Sequence, residues 1–146
     1  GGTVLSGGQR PKTPSQGWFY QPTIIACPDQ KMTIVDTELF GPVLSVLRFD
    51  DENEVTALAN DSKFGLAAGV FTQNGARAMR MTKALRAGIV WVNTYRVVSP
   101  IAEFGGYKES GYGRESGMQA IYDYTRPKTA WINTSDEPLA NPFVMR

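Results

Sequence analysis

The sequence predicts an α/β fold, and three observations predict it. Strand and helix patterns alternate between residues 43 and 93, the connections are short, and the strand segments are continuous apolar runs. Strand–helix–strand units joined by brief loops build parallel sheets with right-handed crossovers. Unbroken apolar strands suit a sheet covered on both faces.

The first stretch is punctuated by Gly and Pro (GGTVLSGG, QRPKTPSQG) and has room for a brief strand at Thr3–Ser6. An aromatic cluster then leads into TIIAC, a strand over Thr23–Cys27 closed by Pro28. Val43–Phe49 (VLSVLRF) reads as a mostly apolar strand. Asp51, with Glu54 three residues later, has the pattern of an N-cap and its capping partner. The helix it starts runs to about Asn60 and buries Val55, Leu58 and Ala59. GLAAGVF gives a strand ending near Phe71, and Asn74 starts a second helix with Ala78, Met81, Thr82 and Leu85 on one face. Gly88 sits where a C′ glycine belongs, and IVWVN is the next buried strand. A long loop follows, with Gly105, Gly106, Gly111, Gly113 and Gly117. A helix near Glu115 carries Met118, Ile121 and Tyr122 inward, and Lys128–Asn133 (KTAWIN) alternates as a last strand before the tail.

Composition narrows the chemistry. With 146 residues, 42% hydrophobic and 20% charged, the chain has the size and make-up of one domain with a core. A net charge of +1 supplies no field toward nucleic acid or an anionic membrane. No apolar run reaches the roughly 18 residues of a membrane span, and no signal peptide pattern opens the sequence. One cysteine makes no internal disulfide, so cytoplasm is the expected location. The sequence has no histidine, which excludes Ser-His-Asp and Cys-His pairs and any His-based metal site within the chain. No metal site is expected.

Most single motifs read as structure. Gly111-Tyr112-Gly113 is followed by three residues before Gly117, one too many for a dinucleotide fingerprint, and the preceding strand is distant. Such glycines fit a chain folded tightly against another surface. Cys27 ends an apolar strand with no base nearby to activate it, so it reads as a structural thiol. Arg77, Arg80 and Lys83 form a basic stripe expected to face solvent. The Asn60-Asp61-Ser62 and Asn133-Thr134-Ser135 sequons carry weight only in a secreted protein. TELFGPV (residues 37–43) is different. In an extended segment Glu38 and Phe40 point the same way and present a carboxylate beside a ring, which suits a ligand with hydroxyls next to a flat ring. A surface Glu beside a core Phe is the other reading of the same residues.

Read together, the segments resemble the C-terminal part of the aldehyde dehydrogenase superfamily over nearly the whole chain. The resemblance is carried by YQPT (20–23), ELFGPV (38–43), GIVWVN (88–93), FGGYK (104–108), Ser110-Gly111, and GRE (113–115) with Gly117. It implies that Glu38 accepts hydrogen bonds from the nicotinamide-ribose hydroxyls of NAD or NADP and that Phe40 packs beside the nicotinamide. It also implies a substrate entrance lined by Val97, Val98 and Phe104, with Tyr95 as a further candidate. Glu103 departs from the family's usual Pro before FGG. The family's cysteine nucleophile and glutamate base both precede the matching region, so the chain is expected to contain no catalytic residue and to be inactive by itself. The implied fold is the three-layer, parallel-sheet end of the catalytic domain (residues 1–125) plus an oligomerisation strand and tail (126–146). The implied partners are a small aldehyde and other subunits, as a homodimer or homotetramer, joined through Lys128–Asn133. Pro142–Arg146 is expected to dock on the partner subunit. An acyl-phosphate reductase relative is disfavoured by the intact ELFGP and FGGYKESG stretches. The rival expectation is a freestanding, non-catalytic α/β binding or assembly module.

Overall fold

The computed structural model describes residues 1–138, 141, 143 and 144. The chain is a mixed α/β structure. Strands β1 (Thr3–Ser6), β2 (Thr23–Ala26) and β3 (Val43–Val46) form one sheet, with β1 antiparallel and β3 parallel to the central β2. A single helical turn, α1 (Thr33–Asp36), joins β2 to β3 and is tied down by the Ser45 hydroxyl, which donates to Ile34 O at 3.0 Å. At the entry to β3, Val43 N donates to Gly41 O (2.8 Å), a three-residue turn centred on Pro42. Thr23 N then donates to Pro42 O (2.8 Å) and starts the parallel ladder.

Asp51 caps α2 (Glu52–Asn60) by accepting from the amides of Asn53 and Glu54 at 2.8 and 2.9 Å. Glu54 reaches back as expected, but to the amide of Asp50 rather than that of Asp51. After β4 (Phe64–Gly65) and β5 (Ala67–Val70), Asn74 caps α3 (Gly75–Ala84) through the Arg77 amide (3.0 Å). Strand β6 (Ile89–Val92) pairs parallel with β5, and α3 packs on this pair. Strand β7 (Tyr107–Lys108) pairs antiparallel with β4, and α4 spans Gly117–Asp123.

Several expectations need correction. The continuous parallel sheet is broken: β3 pairs with β2, and β5–β6 form a separate piece. Nor is the sheet covered on both faces, since Leu44 and Val46 are exposed and no described residue lies over them. Strand β3 stops at Val46 and β2 at Ala26, although the Cys27 amide still reaches Val46 O at 2.8 Å. Val55 and Leu58 are half-buried, while Ala59 and Thr82 are exposed. Met118, Ile121 and Tyr122 point outward, because α4 has no described element on its apolar side. Residues 128–133 form no strand, since no neighbouring strand is there to supply a ladder, and Trp131 is 95% exposed. The tail expectation falls on Pro142, Met145 and Arg146, which lie outside the described residues, as do Leu139 and Ala140.

The interior is correspondingly thin. Among the described residues the buried apolar side chains are Cys27, Met81 and Leu85, and the buried Thr23 hydroxyl donates to Gln21 O (2.7 Å) and accepts from the Gly8 amide (2.8 Å). The accessible surface is 12399 Å². A self-contained folded chain of this length exposes about 7,400 Å².

Gly88 is not a C′ residue, because α3 ends at Ala84 and is capped by Leu85. Its role is close approach: a Cβ at Gly88 would collide with the carbonyl of Gly105, and one at Gly105 with the carbonyl of Gly113. The glycine-rich loop lies backbone to backbone against the start of β6 and is held there by hydrogen bonds. Ser110 Oγ accepts from the Gly65 amide (3.0 Å), and the Glu109 amide donates to Lys63 O (3.0 Å).

The C-terminus of α2 is a second joint. The ammonium of Lys108, on β7, donates to Asn60 O (2.9 Å) and Ser62 O (2.8 Å), meeting carbonyls that the helix leaves unpaired. The Asn60 amide side chain bridges to α3, donating to Ala84 O and accepting from the Arg86 amide, both at 2.8 Å. The Asn60 sequon is therefore a packing feature. At the other end of α2, Glu52 binds Arg80 (2.7 Å) and Arg77 (3.2 Å), so the basic stripe is in part an interhelical clamp rather than a purely solvated face. The Arg80 hydrogen bond is the main reason the Glu52 carboxyl pKa is lowered to about 2; desolvation opposes it, and the hydrogen bond and charge of Arg77 add to the lowering.

Two predictions follow from these joints. Gly88→Ala destabilises the chain by about 2–4 kcal/mol in urea unfolding, whereas Gly75→Ala, at an open helical position, changes it by at most about 1 kcal/mol in the favourable direction. Equal effects would refute the close-approach assignment. For Glu52 the folded value lies below the ordinary one of 4.5, so its stabilisation is present above pH 4.5 and is lost as pH falls through about 2. Melting curves of wild type and Glu52→Gln therefore differ most above pH 4.5 and converge near pH 2. A gap independent of pH over that window would show that the carboxylate charge is not what the clamp uses.

Candidate functional site

Glu38 and Phe40 lie on the loop between α1 and β3. Phe40 has φ 51°, a left-handed conformation unusual for an aromatic residue, so the simple alternation of an extended segment fails here. The two side chains nonetheless line one cavity of about 950 Å³. Phe40 is 94% exposed, so it is no part of this chain's own core. The facing wall comes from β6 and the loop after it: Trp91, Tyr95, Arg96 and Val98, with Phe104 beyond.

Val97, Val98 and Phe104 line a second cavity of about 530 Å³, together with Glu103, Glu115 and Ser116. Val98 and Phe104 line both cavities. Phe104 is fixed by a two-way backbone pairing with Glu115, each amide donating to the other's carbonyl at 2.7 Å. Behind it the Arg114 guanidinium donates to the carbonyls of Gly106 and Gly113, both at 2.9 Å, and so sets the curvature of the glycine-rich loop. Glu103 lines the second cavity beside Phe104. The sequence-predicted positions, Tyr95 included, thus gather around a hollow made of two cavities that share Val98 and Phe104.

Sequence reasoning missed the residues that hold the facing wall. Asn93, at φ 53°, clamps residue 72: its Oδ1 accepts from Thr72 N and its Nδ2 donates to Thr72 O, both at 2.8 Å. Trp91 Nε1 donates to Val97 O at 2.8 Å, and the Trp91 and Tyr95 rings meet edge to face at 5.7 Å. The available signal was a polar Asn closing an apolar strand, a residue type that tolerates the left-handed region. Cys27 lies outside this hollow, buried, with its thiol 3.6 Å from Ile25 O. Among the described residues no group of three or more Cys, Asp or Glu side chains could hold a metal ion, and no helix is long and apolar enough to cross a membrane.

The pattern of the aldehyde dehydrogenase family matches residues 1–130. The chain is 52% identical, over its whole length, to a (Z)-2-((N-methylformamido)methylene)-5-hydroxybutyrolactone dehydrogenase of Acinetobacter baylyi, of which it covers 30%. It is 47% identical to a betaine aldehyde dehydrogenase of Brucella melitensis, with 90% of this chain and 28% of that protein aligned. Among solved structures it resembles the NAD+ complex of an aldehyde dehydrogenase from Bacillus cereus, with a TM-score of 0.85 and 46% identity over 92% of this chain and 27% of that one. The chain thus spans under a third of the length of these relatives.

The Asn93 clamp has a direct readout. Asn93→Ala removes the acceptor for the Thr72 amide and speeds its hydrogen exchange by about tenfold. Unchanged exchange at Thr72 would mean that the side chain does not hold the wall.

Proposed function

The chain belongs to the aldehyde dehydrogenase family, and on that premise we propose that it is the C-terminal portion of an enzyme oxidising an aldehyde to a carboxylic acid with NAD(P)+. Residues 1–125 complete the catalytic domain and residues 126–146 form an oligomerisation segment. The observation that carries this reading is the shared lining: Glu38 and Phe40 line one cavity with Val98 and Phe104, and those two residues line the second cavity with Val97.

The residues fit the cofactor. A carboxylate offers two acceptor oxygens to a vicinal diol, and an aromatic ring almost wholly open to solvent is a surface that a flat ligand would cover. When bound, the dinucleotide supplies the hydride acceptor. Glu38 holds its ribose and Phe40 limits where its ring can sit, a positioning contribution to the reaction. Val97, Val98 and Phe104 shape the aldehyde's approach and keep water from it. The NAD+ complex of the Bacillus cereus relative supports NAD as a cofactor of this kind of site.

The cysteine that forms the thiohemiacetal and the glutamate that activates water for thioester hydrolysis lie, in this reading, upstream of the chain. Burial of Cys27 away from the hollow supports assigning the nucleophile elsewhere. The large accessible surface supports a chain that packs on further protein, and the missing layer of the three-layer fold would come from there. Exposed Trp131 and Ile132 suit a segment that extends a neighbouring subunit's sheet, giving a homodimer or homotetramer in the cytoplasm.

In the full-length enzyme, Glu38→Ala weakens NADH binding by about 10- to 100-fold, the range expected for losing hydrogen bonds to a charged group, and Phe40→Ala lowers kcat with a smaller effect on binding. Fluorescence titration and steady-state kinetics measure both. Wild-type cofactor affinity in Glu38→Ala would remove the proposed ribose contact.

A further inference from the structure

The hollow contains a charge that the reading above does not use. Only two charged side chains line the larger cavity, Glu38 and Arg96, and the other lining residues are apolar or aromatic, apart from the Tyr95 hydroxyl. The two charges form no ion pair with each other among the described residues. With Glu38 assigned to the ribose, Arg96 is the charge left to face the other ligand.

Its placement is built rather than incidental. Arg96 sits at φ 57°, a conformation that a long side chain seldom adopts, and such outliers persist only where the surroundings enforce them. Here the enforcement is visible on both sides. Asn93 locks the start of the segment onto Thr72 through two hydrogen bonds, and Trp91 holds its end through Val97 O. Arg96 is therefore carried on a braced loop and lines the larger cavity together with Glu38, Phe40, Val98 and Phe104.

We infer that Arg96 is a specificity-determining residue that selects aldehydes carrying an anionic group, a carboxylate above all, at the end remote from the aldehyde carbon. This deepens the proposed function and rests on it. The planar guanidinium matches a carboxylate with two parallel hydrogen bonds, and aromatic walls of low polarity strengthen that pairing. The remote carboxylate takes no part in bond making or breaking; it orients the chain so that the aldehyde end meets the nicotinamide. The acidic residues Glu103 and Glu115 line only the second cavity, so a cationic group at the remote end of an aldehyde would meet Arg96 as a repulsive charge.

The test compares 4-oxobutanoate with butanal, which differ only in a terminal carboxylate against a methyl, in the full-length enzyme with NAD+. Wild type has the higher kcat/KM for 4-oxobutanoate. Arg96→Gln lowers the ratio of the two kcat/KM values by about 10- to 100-fold, and Arg96→Lys restores part of it. Succinate, the carboxylated product, quenches indole fluorescence in wild type, and its apparent affinity drops by a similar factor in Arg96→Gln. Oxidation of butanal with no preference for the carboxylate, or an equal fall for both aldehydes in Arg96→Gln, overturns the assignment and leaves the aldehyde dehydrogenase reading standing. Failure of wild type to oxidise either aldehyde overturns that reading and this inference with it.

Discussion

The geometry of the hollow depends on one contact in which side chains are excluded. Gly88 at the start of β6 lies so close to the Gly105 carbonyl in the glycine-rich loop that it tolerates no Cβ, and Gly105 is confined in the same way by Gly113 and Arg114. Gly65 on β4 repeats the constraint, since a Cβ there would meet Arg86 O at 2.8 Å and crowd Tyr107. The Gly88 amide also donates to Gly65 O (3.0 Å), which brings β4, β6 and the loop to a common point. Everything beside that point inherits its position. Phe104 precedes Gly105 directly, Lys108 reaches from β7 to the end of α2, and Ser110 receives the Gly65 amide. Side chains can hop between rotamers, but a backbone packed on backbone has one arrangement, so the wall is located by its least adjustable parts.

Strain is distributed in the same region. Of the five non-glycine residues with positive φ among the described residues, Phe40, Arg96 and Ser116 line one cavity or the other, and Asn93 anchors the segment that carries Arg96. Left-handed backbone at such residues costs free energy, of order 1–3 kcal/mol each where the conformation is sparsely populated. What offsets it here is identifiable at Asn93, whose side chain imitates a paired peptide group toward Thr72. The protein holds the mouth of its hollow in shape with hydrogen bonds rather than with a packed apolar core.

Much of this architecture was legible in the residues, in proportion to how local its causes are. The Asp51 and Asn74 caps, the one-sided burial of Met81 and Leu85 and the brief strand at Thr3–Ser6 are decided within a few residues, and all are present. Gly88 was misplaced because a C′ glycine and a close-approach glycine are identical in sequence; only the distant Gly105 distinguishes them. The inward orientation expected of Met118, Ile121 and Tyr122 failed because apolar periodicity states which face seeks cover and not whether cover is near. Glu38 and Phe40 do share a cavity, by way of a left-handed Phe40 rather than the extended alternation first expected. Arg96 gave no signal, since an isolated arginine in a loop has no pattern until the cavity gathers its neighbours.

The sparse interior has a thermodynamic meaning. Heat capacity rises on unfolding because apolar surface meets water, by about 12–15 cal/mol/K per residue in self-contained domains. A chain whose buried apolar side chains, among the described residues, are Cys27, Met81 and Leu85 has little such surface left to hydrate. Its own free-energy curve is accordingly broad and shallow in temperature, and the curvature that gives a protein a sharp optimum resides in whatever covers its exposed strands and helix faces.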